Sequence, residues 1–343
     1  IKATSVVRTS YKRLADRLAV KYDVVIWPYD WRKPLTECAD EFSEDVTKWL
    51  ELKQPVKIIG HSMGGVLVRD FIIRHPATWQ TLNASAGFKL IFLGSPLMGS
   101  YRIPAVLFGQ DSIINSLSTL DQFHTKKQLI SMFRRFPGIL SLLPLTGDMA
   151  KSFSQKETWE NMRNFCGDSN WPIPEQTDLD AFGKYEQDVV QQIDKIDYRN
   201  IIYIAGKDKQ TPCAYFIDNI GPRRELLFLY TGEGDQSVTW DPTIRPAITA
   251  ANPVYYVPVS HGSLANAPSI FDGIEEILDK GKTTLLPVQR PAADRGVPKL
   301  FRARPTVNFD LSDTGLERAM LGIEEEYQPS GSRVPVLCGQ PEQ

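Results

Sequence analysis

Ile58-Ile59-Gly60-His61-Ser62-Met63-Gly64-Gly65-Val66-Leu67-Val68-Arg69-Asp70-Phe71 sets a serine between glycines where an apolar run gives way to helical spacing. Residues 60–64 fit Gly-x-Ser-x-Gly, and a further glycine follows. Such a segment turns sharply from strand to helix and leaves the serine hydroxyl exposed above the sheet. The bland alternative is a plain glycine-rich turn. The flanks argue against it. Val56 to Ile59 reads as a short buried strand, and Val66, Leu67, Phe71 and Ile72 recur at helical spacing. Ser62 is therefore the candidate nucleophile, and the amide of Met63 is the candidate oxyanion donor.

A serine hydroxyl becomes a good nucleophile only when a base takes its proton, and a carboxylate usually orients that base. The chain has four histidines. His61 lies inside the motif, and its side chain is expected to point away from that of Ser62. His75 ends the nucleophile helix, where the helix dipole favours a cation. His124 falls in a stretch read as solvated. His261, in Pro258-Val259-Ser260-His261-Gly262, follows the last strand pattern and precedes the last helix. That is the rim at which a parallel sheet presents its chemistry, so His261 is the expected base. A structural loop histidine is the alternative. Two acids compete for the third role. Asp208 and Asp235 each follow a strand pattern and each precede His261. Spacing alone leaves them level, and for either the bland reading is an Asx turn or a solvated loop acid.

Outward from this stretch, helix and strand alternate. Ser10 to Lys21 and Leu35 to Leu52 read as helices. Asp23 to Trp27 and Phe88 to Leu93 read as strands. Strand patterns return at Ile201 to Ala205, Leu226 to Tyr230 and Val254 to Val257, and a last helix is expected from Ser269 to Lys280. Near-continuous apolar strands alternating with helices predict a mostly parallel, doubly wound sheet covered on both faces. Residues 100–198 lack strand patterns and read as a helical cap inserted in a domain spanning 1–280. Beyond 281 the chain turns proline-rich, with one helix-like piece near 316–325, and reads as an extension or linker. The composition, 42% hydrophobic and 23% charged over 343 residues, is ordinary for a globular chain. A net charge of −2 gives no reason to expect nucleic acid. No apolar run approaches the ~18 residues of a membrane span. Cys38, Cys166, Cys213 and Cys338 lack C-x-x-C spacing and read as free thiols, which favours a reducing, cytoplasmic setting. No metal or cofactor is implied.

Four segments together resemble the lecithin:cholesterol acyltransferase family of α/β-hydrolases. Tyr29-Asp30-Trp31-Arg32 is similar to the family's Tyr-Asp-Trp-Arg, and Gly60 to Gly65 to its nucleophile turn. Gly234-Asp235-Gln236-Ser237-Val238 resembles Gly-Asp-Gly-Thr-Val, with Gln236 and Ser237 as departures. Ser260-His261-Gly262 resembles the base motif. Gly94-Ser95-Pro96 through Ser100 is a weaker echo. The resemblance covers about residues 10–280. It implies an α/β-hydrolase fold with a Ser62, Asp235 and His261 triad, Asp235 rather than Asp208 being the acid. It also implies a lipid or other ester substrate, with water or an alcohol as acceptor. Trp31 and Met98 are the candidate substrate contacts. The apolar run Leu129 to Leu145 is expected to cover an acyl chain, to touch a membrane surface, or to pack as core.

The family's second oxyanion donor lies in a Gly-rich segment upstream of Tyr-Asp-Trp-Arg, and no such turn precedes Asp30. The expectation is that this donor and the first strands are missing, and that the chain is one module of a larger protein. The rival expectations are a non-catalytic, hydrolase-like interaction module, and a protease or thioesterase on the same fold.

Overall fold

The computed structural model describes residues 8–121, 123–218 and 225–292, and the backbone of 299–302 and 325–326. The first part runs α1 (Arg8–Leu18), α2 (Leu35–Glu51), β1 (Lys57–His61), α3 (Met63–Arg74), α4 (Pro76–Ala84) and β2 (Lys89–Leu93). Six helices follow: α5 (Arg102–Leu107), α6 (Ser112–Leu120), α7 (Lys126–Phe133), α8 (Pro137–Leu140), α9 (Lys156–Phe165) and α10 (Gln176–Gln192). The chain continues with β3 (Ile201–Gly206), β4 (Thr211–Asp218), β5 (Glu225–Thr231), α11 (Trp240–Thr243), α12 (Pro246–Ala251), β6 (Val254–Val257) and α13 (Phe271–Lys280). Two further strands, β7 (Lys299–Arg302) and β8 (Glu325–Glu326), complete the order.

The central sheet has the order β1-β2-β3-β6 and every pair in it is parallel. Alternate residues of its strands serve two different cores. Ile58, Leu90, Phe92, Ile201, Tyr203 and Val254 pack towards α2, α3 and the helices between Leu93 and Ile201. Ile91, Leu93, Ile202, Ile204, Tyr255 and Val257 pack on the other face, against Leu14 and Leu18 of α1 and Ile274 and Ile277 of α13. A strand buried on both faces must be apolar throughout, which explains the unbroken apolar runs in the sequence. All six residues of β3 are buried. The architecture is α/β, a mostly parallel central sheet with surrounding helices.

Three expectations change. Asp23 to Trp27 is not a strand: Val24, Val25 and Ile26 are exposed. A strand needs a ladder, and among the described residues β1 pairs only with β2. The stretch is instead anchored by Trp27, whose Nε1–H donates to Asp45 at 2.9 Å and whose ring meets Phe42 edge-on. Leu226 to Tyr230 is a strand, but it lies outside the parallel sheet. As part of β5 it pairs antiparallel with β4 in a second sheet of order β4-β5-β7-β8. The sequence pattern hid β4, because Pro212 and a bulge between Pro212 and Ala214 interrupt its alternation. The proline-rich segment also contributes, since β7 pairs antiparallel with β5. Leu286 is buried against Gly273, and Pro287 accepts the Tyr256 amide. The helix-like piece near 316–325 lies outside the described residues except for Glu325, which is in β8.

Candidate active site

Ser62 sits between β1 and α3 with φ 53° and ψ −128°, a conformation that non-glycine residues rarely adopt. Two backbone bonds hold it there. Ser62 N–H donates to Leu93 O at 3.1 Å, and Gly65 N–H donates to Ser62 O at 3.0 Å. The turn also depends on close approach. A Cβ on Gly65 would lie 1.9 Å from Ser95 Oγ, and one on Gly60 would lie 2.7 Å from the Gly65 Cα. Ser95 is fully buried and its hydroxyl donates to Gly60 O at 2.8 Å. Met63 begins α3, so its N–H has no intrahelical carbonyl to serve and is free to face a ligand.

His261 opens the short 3₁₀ turn after β6. Its Nε2 is 2.7 Å from Ser62 Oγ and its Nδ1 is 2.9 Å from Asp235 Oδ2. The carboxylate can only accept, so Nδ1 carries the proton and Nε2 accepts from the serine hydroxyl. Asp235 is buried, and its second oxygen, Oδ1, accepts the amides of Ser237 at 3.0 Å and Val238 at 2.8 Å. The His261 amide donates to the Asp235 carbonyl at 2.8 Å, which fixes the two residues to each other along the backbone as well. Gly94, at φ +57°, leaves the necessary space: a Cβ there would lie 2.9 Å from Asp235 Oδ2. Asp208 lies beside the same turn, its amide donating to Gly234 O at 2.7 Å, but its carboxylate is taken by the following amide, Lys209 N–H, at 2.5 Å. The two acids that spacing left level are thus separated by geometry.

His61 has a part that the sequence did not reveal. Its Nε2–H donates to the carbonyl of His261 at 3.0 Å, and its Nδ1 accepts from the Tyr11 hydroxyl at 3.0 Å. Burial, followed by the nearby His261, pushes its pKa down to about 4, so at neutral pH it is an uncharged strut under His261. Only its place beside Ser62 hinted at this. His75 lies far down α3, on Asp40, and His124 is exposed on Asp121.

Asp30 and Arg32 form a two-pronged pair, at 2.8 and 2.7 Å, and the Arg32 guanidinium holds the Asp30 carboxyl down at about 2. Trp31 is exposed and meets Phe133 and Phe136 edge-on, at 6.3 and 5.6 Å between ring centroids. Met98 is buried in the main core, and its carbonyl accepts the Leu145 amide. Most of the run Leu129 to Leu145 packs inward, with Ile130 and Leu143 fully buried. Met132 in this run is exposed, and further exposed apolar groups lie on one face of α6, Ile113, Leu117 and Leu120, with Phe123 just beyond.

A sequence model of the family lecithin:cholesterol acyltransferase matches residues 8–220. The matched span holds Ser62 and ends before Asp235 and His261. No curated protein sequence matches. Among solved structures, a chain described as "The crystal structure of Tle4-Tli4 complex" is similar with 10% identity and a TM-score of 0.44, covering 74% of this chain and 68% of that one.

Proposed function

The chain belongs to the lecithin:cholesterol acyltransferase family, and we propose that it is an acyl-transferring serine enzyme on an α/β-hydrolase fold. The family implies acyltransferase or esterase chemistry on lipids. The observation that carries the finer reading is the unbroken line from Ser62 Oγ through His261 to the buried Asp235, at 2.7 and 2.9 Å.

In this reading Ser62 Oγ attacks the ester carbonyl carbon while His261 Nε2 takes its proton. Asp235 keeps the imidazole in the right tautomer and stabilises the cation that forms. The oxyanion of the tetrahedral intermediate faces the Met63 amide. Collapse expels the alcohol, which takes the proton back from His261 and leaves an acyl group on Ser62. Water or a second alcohol then attacks, again deprotonated by His261, and releases an acid or a new ester. Residues 100–198 act as the cap over this rim. Trp31, with Phe133 and Phe136, forms an apolar wall suited to an acyl chain, and the exposed face of α6 is where the cap meets a lipid surface.

Ser62→Ala is expected to abolish hydrolysis of p-nitrophenyl butyrate, a loss of up to about 10⁶ in kcat, while circular dichroism stays unchanged. Equal activity in the purified variant would refute the reading. Labelling of the wild-type protein by a fluorophosphonate separates this enzyme from a non-catalytic module of the same fold, because only an activated serine reacts.

A further inference from the structure

We infer that Arg102 is a positioning residue for the acid, through which the cap holds the turn that presents Asp235 to His261. The inference rests on reading Ser62, His261 and Asp235 as a triad. Asp235 keeps Oδ2 for His261 because Oδ1 is occupied by the amides of Ser237 and Val238. Ser237 is itself gripped at two points from α5 and the segment before it. Its hydroxyl accepts from Arg102 Nη1, and its carbonyl accepts from the Ser100 hydroxyl. The Arg102 amide donates to that same Ser100 Oγ at 3.0 Å.

Arg102 is mostly buried and cannot wander. Its guanidinium forks onto Asp111 at 2.8 and 3.1 Å, and Asp111 in turn caps α6 by accepting the Ile113 amide at 2.8 Å. A continuous path of polar contacts therefore runs from the N-terminus of α6 through Asp111, Arg102 and Ser237 to Asp235. A guanidinium suits this place because its planar fork serves a carboxylate and still has a nitrogen left for a hydroxyl. It also explains why serine can stand where the family has threonine: the turn needs the hydroxyl, not the methyl.

The test is the rate at which a fluorophosphonate labels Ser62, read beside kcat and KM for p-nitrophenyl butyrate. Arg102→Met should lower both the labelling rate and kcat about tenfold, the size expected for one charge-assisted hydrogen bond, with KM changed less than twofold. Ser237→Ala, which leaves the Arg102–Asp111 pair whole and serves if Arg102→Met does not fold, should do the same. Because the two act along one path, the double variant should be no more than twofold slower than either single one. Arg102→Lys, which keeps the charge, should recover part of the loss. Folded variants that label at the wild-type rate, or losses that multiply in the double variant, would overturn the inference. If Ser62→Ala retains activity, the triad reading has failed instead.

Discussion

The turn that carries Ser62 and the turn that carries Asp235 solve the same problem by different means. The first is held by crowding. Gly60, Gly65 and Ser95 approach so closely that no side chain fits between them, and the backbone at Ser62 is forced to φ 53°. The second is also close-packed, since a Cβ on Gly234 would lie 2.6 Å from Val238 O and one on Gly206 2.8 Å from Asp235 Cβ, but it relies on more hydrogen bonds. Asp235 N–H donates to Val238 O, its carboxylate gathers two amides, and the Gln236 amide donates to Thr211 Oγ1 at 2.9 Å. A crowded turn must write its requirements into its own sequence. A hydrogen-bonded turn borrows partners from elsewhere in the chain, so its own sequence is freer to vary.

The largest effect expected from this difference falls on the acids. Asp235→Asn should cost about 10⁴ in kcat, because a neutral amide leaves His261 in the wrong tautomer. Asp208→Asn should change kcat less than twofold, since its carboxylate meets only a neighbouring amide. Steady-state kinetics on both would expose an error, because the reverse ranking returns the role to Asp208.

Gly65→Ala attacks the crowded turn directly. Its methyl would sit 1.9 Å from Ser95 Oγ and 2.4 Å from Ser95 Cβ, and Ser95 is fully buried and cannot yield. A loss of about 3 kcal/mol, at the upper end for overpacking, should appear in urea unfolding together with most of the activity. A variant as stable as wild type would mean that crowding does not define this turn.

His61 ties the crowded turn to pH. Its pKa is about 4 in the folded chain against an ordinary value of 6.5, so between these limits the unfolded chain binds more protons. Its neutral form therefore adds stability in full above pH 6.5, and this is lost as the pH falls towards 4, on the order of 3 kcal/mol in all. His61→Gln should flatten that part of the curve of unfolding free energy against pH. A curve just as steep in the variant would place the titration elsewhere.

The smallest effect belongs to the hydrogen-bonded turn. Gln236 is exposed at φ 91°, where a side chain costs about 1 kcal/mol and glycine costs little. Gln236→Gly, the residue the family carries here, should raise the melting temperature by a few degrees in calorimetry and leave kcat unchanged. A drop in kcat would show that the glutamine side chain has work at the site.

The same contrast explains what could be read in advance. The Ser62 turn was legible because its glycines and its apolar flanks are local. His261 was legible from chain order. Spacing left Asp235 and Asp208 level and only the family resemblance favoured Asp235, because what distinguishes them physically is a contact with a residue 26 positions further on. The roles of His61 and Arg102 were invisible for the same reason: each depends on where a distant carbonyl or hydroxyl comes to rest. The parallel strands announced themselves by burial on both faces. The stretch Asp23 to Trp27 has an equally apolar sequence, but composition cannot say whether a ladder partner will be present. The second sheet was missed because β4 is only partly buried and Pro212 and a bulge break its alternation, so the pattern at Leu226 to Tyr230 had no visible partner.

The neighbours at the middle of the parallel sheet, β2 and β3, are far apart along the chain. Lys89 reaches Asn200 across 111 residues, and α5 to α10 all lie between. Closing a loop of that length costs about 4 kcal/mol of chain entropy before any strand contact offsets it. Contacts of this kind form slowly, whereas helices pair locally and early. The expected order of folding is therefore α5 to α10 first and the far half of the sheet second. Ser62 and His261, 199 residues apart, then meet only when the last strand has docked. Pulsed hydrogen exchange would check this by showing amides of α10 protected before those of β3. If Ser62 is the nucleophile proposed above, a chain that assembles the Ser62–His261 contact only at the end of folding carries no exposed, activated serine while it is still being made.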